Sequence, residues 1–600
     1  MRVFLSLSVV LLSAAGWSSL AVAQTPPPVI FFTDLQSGPN SGGDAQGGYS
    51  GAYVTIYGNF FGATQGTSTV TLNGSSCLRV VSWGTSWLWY QRIVVQLGSS
   101  CSSGNLVVST SAGQSNGVPF TVRAGNIYCI SPAGSDSNSG KFPSSCWSTL
   151  AHALSVMSAG DTVYLQNGVV NANVSNYSAV ANVQGRPGGT AASPIAIVAY
   201  PGATATIGSN SVTYAIRVPQ TGVNPAYYVI AGLTLRGGEG LEIFGADNWR
   251  LVANDLSCPA GSGYGCTHVD QSSNIYYYGN YTHNITGKVK LYHGVYFTTN
   301  TNHVWVGWNL IDNDPSHTGS AGCRGLQFYS TGGNDMYDVH VHDNIIRNTD
   351  CDGIAMTTMN PDQGTVEVYN NVIYNAGMAD PGDFAHYTCL QVASGSVVTT
   401  PAQVYNNTLY NCGSRGGGSV VGAFSLTIPT KLTNNVVYSA SSAEPYLASD
   451  NGPCSLLSGS NNLWFGAGPP PCSSNLSSSL NVDPKFVAIG SNFQLQSGSP
   501  AIDGGASVSA AFSIDGVRRP QGSSVDRGAY EFFVATTTAS PCDLNGDGSI
   551  DASDVSLAVN QALGSTTCSS GDLDRDGNCT VVDVQRVVNS TLGQGCRVGP

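Results

Sequence analysis

The segments VHVHDNIIRN (residues 339–348), VEVYNNVIYN (366–375) and AQVYNNTLYN (402–411) are copies of one pattern. In each copy, alternating apolar and polar residues lead into an asparagine, which is followed by apolar residues and a second asparagine. Related segments are WRLVANDLS (249–257), IYYYGNYTHN (275–284), VWVGWNLIDN (304–313) and TKLTNNVVYS (430–439). The recurrent asparagines, 27 to 36 residues apart, are Asn280, Asn309, Asn344, Asn371, Asn407 and Asn435. Such a period indicates a solenoid, whose repeats bury their apolar sides against one another.

Shorter apolar segments lie between these copies, for example GLEIF (240–244), HGVYF (293–297) and GAFSL (422–426). A chain that repeats strand and turn without helix-forming segments can bury its apolar face by stacking coil on coil. The pattern therefore predicts a parallel β-helix. We expect the asparagines at the same turn of successive coils to stack as a hydrogen-bonded ladder that satisfies the turn backbone.

The flanks of the repeat resemble known β-helix proteins. SPAGSDSNSG (131–140) with CWSTLAHALSVMSAGDTVYLQNG (146–168) resembles the opening of pectate-lyase-like proteins, where an amphipathic helix caps the first coil. SPAIDGG (499–505) with DGVRRPQGSSVDRGAYEF (515–532) resembles a closing segment of secreted bacterial β-helix proteins. The resemblance implies a right-handed parallel β-helix over residues 125–535. It specifies the fold far better than any activity.

Composition and the N-terminus restrict the function classes. Only 10% of residues are charged and 73 are glycine, which is typical of turn-rich β structure. The net charge of -13 argues against a nucleic-acid partner. Arg2, an apolar run and a small-residue site ending at Ala23 predict a signal peptide over residues 1–23. No later apolar run approaches the ~20 residues that cross a bilayer, so we expect an exported, secreted protein without a membrane span.

The cysteine content fits an oxidising compartment, because the sixteen cysteines fall mostly into sequence-local couples. The couples are Cys77 with Cys101, Cys129 with Cys146, Cys258 with Cys266, Cys323 with Cys351, Cys389 with Cys412, and Cys454 with Cys472. We expect disulfides also at Cys542, Cys568, Cys579 and Cys596. Proximity suggests these pairings, but the sequence alone does not prove connectivity.

The segment before the solenoid predicts a separate domain over residues 24–124. Short alternating strands with Gly and Ser turns indicate a β-sandwich of immunoglobulin-like size. GAYVTIYGNFFG (51–62), VTLNG (70–74) and VPFTVR (118–123) resemble the IPT/TIG family. That resemblance implies a non-catalytic spacer or binding module.

The C-terminal segment, residues 536–600, carries two matched loops, DLNGDGSIDASD (543–554) and DLDRDGNCTVVD (572–583). Oxygen ligands occupy loop positions one, three, five and twelve, and glycine occupies position six, as in calcium loops. We expect calcium at Asp543, Asn545, Asp547, Ser549, Asp551 and Asp554 in the first loop, and at Asp572, Asp574, Asp576, Asn578 and Asp583 in the second.

The paired loops, each followed by an apolar helix, resemble type I dockerins. The resemblance implies a small α-helical module that folds with calcium and docks to a cohesin-like protein partner. One departure concerns that partner. Dockerins often present Ser or Thr pairs at loop positions ten and eleven, whereas this chain has Ala552–Ser553 and Val581–Val582.

The stretches CRGLQFYS (323–330) and CDGIAMTT (351–358) supply the first set of candidate site residues. If Cys323 and Cys351 sit in register one coil apart, their Cα atoms lie about 4.8 Å apart, which a disulfide tolerates. Arg324 and Asp352 then become neighbours, with His293 one coil further along. These three are candidate catalytic residues. These residues have the same strand parity as Leu326, whose side chain is expected to point into the core. An internal ion pair is therefore the alternative.

The outward residues of the same strands supply a second set. They form a ladder that reads Glu242, His268, Tyr296, Gln327, Ala355 and Gln391, with Asp270, Thr298, Tyr329 and Thr357 two residues on. Aromatic rings and amides suit sugar rings, so Glu242, Tyr296, Gln327, Tyr329 and Gln391 are candidate substrate-binding residues. His268 and Asp270, with the carboxylate of Glu242, are candidates for acid–base catalysis. Neighbouring loops add Asp312, Asp314, His317, Asp380, Asp383 and His386.

Two classes of function remain open. A carbohydrate-active enzyme would degrade an extracellular polysaccharide. As a lyase it would use Arg324 or calcium with His293 or His268, and as a glycoside hydrolase it would use Asp350 or Asp352 with Asp312 or Asp314. The alternative is a non-catalytic polysaccharide-binding adhesin or extracellular matrix protein.

Overall fold

The computed structural model describes residues 25–599 except 221–223, 260–262, 286–290, 313–322, 332–335, 379–385, 414–419, 534–539, 546–549 and 593. Residues 27–533 form one compact unit, and the C-terminal module belongs to another. Several sequence predictions lie outside the described residues, namely the signal peptide, Asp314, His317, Asp380, Asp383, Asp547 and Ser549. In the described part of the chain, no helix is long and apolar enough to cross a membrane.

The middle of the chain is a parallel β-helix, as predicted. Within the described residues, its strands form three parallel sheets, which we call sheets I, II and III. Sheet I contains Ile127–Ile130, Thr162–Leu165, Ile195–Ala199, Tyr228–Ala231, Arg250–Val252, Ser273–Tyr278, Asn302–Gly307, Val339–His342, Val366–Tyr369, Ala402–Tyr405, Thr430–Thr433, Leu457–Ser460 and Leu476–Ser477. Sheet II contains Val170–Asn171, Thr206–Gly208, Thr234–Arg236, Asp255–Ser257, Tyr281–His283, Leu310–Asp312, Ile345–Thr349, Val372–Ala376, Thr408–Cys412, Val436–Tyr438 and Leu463–Phe465.

Sheet III contains Ala179–Asn182, Tyr214–Val218, Glu239–Phe244, Gly265–Asp270, His293–Thr298, Leu326–Tyr329, Ile354–Met356, His386–Val392 and Val420–Leu426. Each coil runs through sheets I, II and III in turn. The inward residues of the three sheets, such as Leu251, Leu256 and Leu241, form one continuous buried core. Side-chain alternation leaves the other residues on the outer faces.

The turn from sheet I to sheet II holds the predicted asparagine ladder, and none of its members exposes measurable side-chain surface. The amide of each asparagine donates to the amide oxygen of the next at 2.8–3.2 Å. The structure extends the ladder by Asn254 and Asn462 at its two ends. Each amide also donates to a backbone carbonyl on the preceding coil, for example Asn371 to Val341 at 2.9 Å. The ladder therefore satisfies buried turn groups that no sheet could reach.

The residue before each ladder asparagine explains the recurring Asn-Asn pair. Asn370, Asn406 and Asn434 have φ of 53°, 52° and 57°, the left-handed region that asparagine tolerates better than most residues. At Gly279, φ is 66° and an added Cβ would lie 2.4 Å from the ring of Phe32. Glycine is needed there because the N-terminal domain packs onto this turn.

The first coil is capped by the predicted amphipathic helix, Leu150–Val156. Thr149 is its N-cap, and the Thr149 hydroxyl accepts from the backbone N–H of His152 at 3.1 Å. Leu150, Ala153 and Leu154 are buried in the solenoid core. The helix thus covers apolar surface that the first coil would otherwise expose.

The N-terminal domain is a β-sandwich. One sheet contains Val29–Thr33, Tyr53–Asn59, Tyr90–Leu97 and Leu78–Trp87, and the other contains Ser37–Gly38, Val118–Val122, Gly104–Thr110, Thr69–Leu72 and Gly113–Gln114. It shares a buried core with outward residues of sheet I, including Val198, Val229 and Val252. The Trp87 indole N–H donates to the Gly279 carbonyl at 2.8 Å. The sandwich is therefore packed against the solenoid, which a free spacer would not be.

The closing segment, residues 486–532, lies along the outer side of sheet II and contains strands Phe486–Ala488 and Asn492–Leu495. Its aromatic residues Phe486 and Phe493 pack with Val372, Tyr374 and Val436. Arg519 and Glu531 form an ion pair at 2.7 Å, with side chains 1% and 0% exposed. The closing segment thus covers outward residues of sheet II, whereas the candidate residues lie on the outer face of sheet III.

The predicted disulfide couples are formed. Bonds join Cys77–Cys101, Cys129–Cys146, Cys258–Cys266, Cys323–Cys351, Cys389–Cys412 and Cys454–Cys472. The Cα atoms of Cys323 and Cys351 lie 4.7 Å apart, which confirms the inferred register. In the C-terminal module, Cys542 pairs with Cys596 and Cys568 with Cys579. The same module contains helices Ala552–Ala562 and Val581–Thr591.

An ion-pair cluster on the outer face of sheet I should make stability depend on pH. His340 contacts Glu367 at 2.7 Å and Asp338 at 3.0 Å, and Asp338 also contacts His303 at 2.6 Å. Burial opposes the charged imidazolium, but hydrogen bonds to Glu367 and Asp338 raise the pKa of His340 above 6.5. Its contribution to stability is then complete below pH 6.5 and is lost as the pH rises through the raised value.

We expect His340→Gln to weaken this loss of stability above pH 6.5, measured by chemical denaturation at several pH values. A substitution at the neighbouring half-buried Gln403, Gln403→Ala, is the control and should leave the pH dependence as in the parent protein. An identical pH dependence in His340→Gln would contradict the assignment.

Candidate functional site

The outer face of sheet III presents one column of polar side chains, paired strand to strand. The paired residues are Arg217, Glu242, His268, Tyr296, Gln327, Ala355, Gln391 and Ser425. A second column pairs Phe244, Asp270, Thr298 and Tyr329. The predicted outward ladder is therefore present in its predicted register. Arg217 and Ser425 extend it by one coil at each end.

Four of the predicted catalytic or substrate-binding residues line one groove of about 360 Å³, which we call the groove head: Glu242, His268, Asp270 and Tyr296. Arg217, Phe244, Tyr264 and Thr298 also line it. Gln327 and Gln391 are buried on the same face further along the column, and Tyr329 is 40% exposed there. The structure thus gathers the predicted acid–base residues and spreads the predicted substrate-binding residues along the sheet.

Glu239 lies beneath the groove head and was not among the predicted residues. Ligand atoms of Glu239, Glu242 and His268 lie within 4.8 Å of one another. The backbone N–H of Tyr264 donates to Glu239 Oε1 at 3.1 Å. Gly263 has a φ of 96°, and a Cβ there would lie 1.6 Å from Glu239 Oε1. Glycine at 263 therefore allows the backbone to approach and fix this carboxylate.

The other charged residue that the sequence analysis missed is Arg217. Its guanidinium forms an ion pair with the Glu242 carboxylate, and it also lies over the Tyr214 ring, 4.0 Å from the centroid. Arg217 donates further to the Tyr177 carbonyl at 2.8 Å. These contacts hold Glu242 on the side of the groove head formed by the coils that come earlier in the chain.

The imidazole of His268 lies between two carboxylates and two aromatic rings. Its Nδ1 is 3.5 Å from Glu239 Oε2, and its Nε2 is 3.9 Å from Asp270 Oδ2. The Tyr296 ring is stacked with the imidazole, with centroids 5.5 Å apart, and the Tyr264 ring lies 5.2 Å away. Contacts with the two rings therefore restrict the orientation of the imidazole.

Burial and charge shift the ionisation of these groups. Burial raises the pKa of Glu239 above its usual value, with His268 opposing the shift. Burial also raises the pKa of Asp270, to about 6. For His268, burial lowers the pKa, but the nearby carboxylate of Glu239 outweighs this effect and the net shift is upward. Shifts of this kind are common where carboxyl groups and an imidazole share a partly closed site.

The first predicted set, His293, Arg324 and Asp352, forms an internal network. Arg324 donates from Nε to Asp352 at 2.9 Å, and the two side chains are 12% and 0% exposed. Asp352 also accepts from the backbone and hydroxyl of Thr388. Arg324 donates to Gln327 at 3.2 Å and so supports the outward column. Burial, with the nearby Arg324 charge, lowers the pKa of His293 well below 6.5. The internal ion pair is therefore the alternative that the geometry favours.

Asp312 also has a structural partner. It lies on sheet II and contacts Arg347 at 2.6 Å and Asn348 at 2.8 Å. His386 lies on sheet III, 3.7 Å from Asp450. Asp312 and Asp352 are therefore held in separate ion pairs, which weakens them as a hydrolytic pair.

Buried polar atoms without a hydrogen-bond partner, among the described residues, collect on sheet III and its edges. The set there comprises Glu239 Oε2, His268 Nδ1, Asp270 Oδ1, His293 Nδ1, Ser330 Oγ, His386 Nδ1 and Gln391 Oε1. Buried polar atoms are normally paired, so a concentration of exceptions needs an explanation. A ligand on the outer face would supply partners for the outward atoms of this set, such as Asp270 Oδ1 and Gln391 Oε1. Glu239 and His293 have inward parity and belong to the interior side of the sheet.

The two acidic loops of the C-terminal module bring carboxylates together where they are described. Carboxylate atoms of Asp572, Asp574 and Asp576 lie within 4.8 Å of one another. Asp583 accepts from the backbone of Leu573 and Thr580, at 2.8 Å each. In the first loop, Asp554 accepts from the backbone of Leu544 at 2.7 Å and of Asp551 at 2.9 Å. The carboxylate at position twelve is therefore held in the same way in both loops.

Some predicted ligands have other contacts. Asp551 is the N-cap of helix Ala552–Ala562 and accepts from the backbone N–H of Ser553 at 2.7 Å. The Asn578 backbone N–H donates to Asp576 at 2.8 Å. The exposed pair at positions ten and eleven of the second loop is apolar, with Val581 77% and Val582 48% exposed.

Known proteins give one family match and several distant structural likenesses. Residues 541–592 match the dockerin type I domain. No curated protein matches the chain. Among solved structures, pectate lyase Pel9A is 13% identical and covers 68% of this chain and 96% of its own, with a TM-score of 0.45. XylC in complex with xylose is 11% identical and covers 68% and 98%, with a TM-score of 0.39. An alginate lyase from Paenibacillus sp. str. FPU-7 is 18% identical and covers 59% and 98%, with a TM-score of 0.31.

These identities and TM-scores are low. The assignment of a parallel β-helix to the middle region therefore rests on the strand pairing in the structure. The chain therefore contains a parallel β-helix, defined by its strand pairing, and a C-terminal segment that matches the dockerin type I domain.

Proposed function

We propose that the outer face of sheet III binds an extracellular polysaccharide and that the groove head cleaves a glycosidic bond. The concentration of unpaired buried polar atoms on this face carries the proposal. Such atoms are costly unless something hydrogen-bonds to them, and on this open face the partner would be a ligand.

The chemistry of the face fits a carbohydrate. It offers imidazole, amide and carboxylate groups at His268, Gln391 and Asp270, and tyrosine rings at Tyr264 and Tyr296. Sugar hydroxyls both donate and accept, and sugar rings pack their apolar faces on aromatic side chains. The column repeats at the strand spacing of about 4.8 Å, so an extended chain could contact several coils.

Hydrolysis is the favoured reaction. Within the described residues, the arginines beside the face, Arg217 and Arg324, are paired with Glu242 and Asp352. Neither arginine is free to neutralise a uronate carboxylate, so a lyase at this site would need a bound metal ion for that step. Asp270 and Glu242 instead offer two carboxyl groups on adjacent strands, as glycoside hydrolases use. We assign to Asp270 the donation of a proton to the leaving oxygen. His268 and Glu242 lie beside it.

A substrate panel tests this proposal. The protein is incubated with neutral and acidic polysaccharides, and reducing ends and unsaturated products are measured. We expect reducing ends without new ultraviolet absorbance. Unsaturated products would overturn hydrolysis in favour of a lyase. Binding without any cleavage would overturn the enzyme and leave the polysaccharide-binding adhesin or matrix protein.

We further propose that the dockerin domain binds calcium in its two loops and docks to a cohesin-like protein partner outside the cell. The convergent carboxylates of Asp572, Asp574 and Asp576 support the calcium assignment. The eight disulfides described in the structure support an oxidising, extracellular setting.

Calcium removal should loosen the C-terminal module, because loop carboxylates that face one another repel without a cation. We expect faster proteolysis within residues 541–592 after chelation, followed by mass spectrometry of the fragments. The variant Asp572→Asn/Asp576→Asn should need roughly tenfold more calcium for protection. Asp362→Asn, on a solenoid loop, is the control. Equal proteolysis with and without calcium would contradict the assignment.

A further inference from the structure

We propose that Glu239, Glu242 and His268 bind a divalent cation of the Mn²⁺ or Zn²⁺ class beneath the groove head. Three residues from two adjacent strands, Glu239–Phe244 and Gly265–Asp270, bring one ligand atom each within 4.8 Å of the others. Ligand bonds to such ions are about 2.0–2.2 Å long, so small side-chain shifts would bring all three atoms into contact with one cation.

Two of the three donors lack any hydrogen-bond partner in the described structure. Glu239 Oε2 and His268 Nδ1 are both buried, and their residues are 1% and 5% exposed. These atoms lie 3.5 Å apart and face each other, yet they form no hydrogen bond. Two buried donor atoms that converge without a partner are what a metal site presents before its ion binds.

The local charge points to a cation. Glu239, Glu242 and Asp270 place three carboxyl groups around His268, and the described residues that line the groove head contribute one guanidinium, that of Arg217. Two carboxyl groups therefore have only the imidazole of His268 as a cationic partner among these residues. A divalent ion would balance them, whereas an unbalanced buried carboxylate is costly.

The donor set selects the class of ion. Two carboxylates with one imidazole suit ions that accept both oxygen and nitrogen, such as Mn²⁺ and Zn²⁺. Calcium prefers six to eight oxygen ligands, which the dockerin loops offer and this site does not. The two kinds of site should therefore differ in the ion they take.

Neighbouring groups already support the three ligands. Tyr264 donates to the other oxygen of Glu239, and Arg217 holds Glu242. Asp270 lies 3.9 Å from the second imidazole nitrogen of His268, where a carboxylate commonly orients a metal-bound histidine. Binding of the ion does not require that the groove cleave anything. Its role as an electrophile beside Asp270 rests on the proposed function.

Metal titration of the full chain tests this inference. The protein is first saturated with calcium to occupy the dockerin loops, and Mn²⁺ binding is then followed by electron paramagnetic resonance and Zn²⁺ binding by calorimetry. We expect one equivalent of tight binding. Glu239→Gln and His268→Gln should each weaken it by roughly tenfold or more. Binding that is absent, or unchanged in both variants, would overturn the inference.

A matched pair of variants separates the alternatives. His340→Gln and Glu367→Gln remove an imidazole and a carboxylate from a cluster on sheet I whose members are already hydrogen-bonded, so both should bind the ion as the parent protein does. Circular dichroism checks that every variant is folded. Cleavage is measured on the same samples. Metal binding without cleavage would refute the proposed function alone, and cleavage without metal binding would refute this inference alone.

Discussion

Replacing Asp270 by asparagine is expected to lower the rate of polysaccharide cleavage by about 100-fold or more. The amide keeps the size of the side chain but cannot donate a proton to the leaving oxygen. Asp270 Oδ1 has no hydrogen-bond partner among the described residues, so the substitution breaks no bond there. Substrate affinity should change much less than the rate. The measurement is kcat and KM on the polysaccharide that the panel identifies.

Asp255→Asn is the matched control, because Asp255 is a carboxylate on sheet II that is paired with Arg236 at 2.7 Å and His283 at 2.9 Å. It should reduce stability slightly and leave the rate per folded molecule unchanged. If Asp270→Asn retained the full rate, Asp270 would have no role in proton transfer. If both variants lost activity equally, the loss would be one of folding.

Replacing Asn371 by alanine is expected to lower the free energy of unfolding by roughly 3–5 kcal/mol. The amide of Asn371 donates to Val341, Tyr369 and Asn407, and its oxygen accepts twice from Asn344. Alanine leaves buried groups on neighbouring coils without partners, and water cannot reach them. Chemical denaturation followed by circular dichroism gives the change.

Asn375→Ala is the control within the same copy of the repeat. Asn375 is half-buried, and its side chain bonds to Asn348 at 3.1 Å and to Asn411 at 2.7 Å. Its loss should cost about 1 kcal/mol, including the left-handed backbone at a φ of 53°. Equal costs at the two positions would show that the ladder is no more important than a surface contact.

Most of the fold could be predicted because its signals are local and repeated. The period of the asparagines fixed which residues stack, and Cys323 with Cys351 fixed the register to one residue. The packing of the sandwich on sheet I could not be predicted. It depends on outward residues such as Val229 and Val252, whose apolar character looks the same for any covered face.

The candidate site was predictable in part for the same reason. Alternation from Leu241 and Val295 placed Glu242, His268 and Tyr296 on one outer column. Glu239 has inward parity, so the alternation rule hid it. The inward column of His293, Arg324 and Asp352 could have revealed Glu239. Followed towards the N-terminus, that column passes through Gly265 and reaches Glu239. The closeness of Glu239 to His268 depends on side-chain conformation and on Gly263, which no sequence period encodes.

A crystal structure of Asp270→Asn with a bound fragment of the cleaved polysaccharide tests the central claim most directly. We expect sugar rings along the outer face of sheet III, with a glycosidic oxygen within hydrogen-bond distance of residue 270 and contacts to Tyr296. Sugar bound on sheet I, on sheet II or on the sandwich, with the groove head empty, would contradict it.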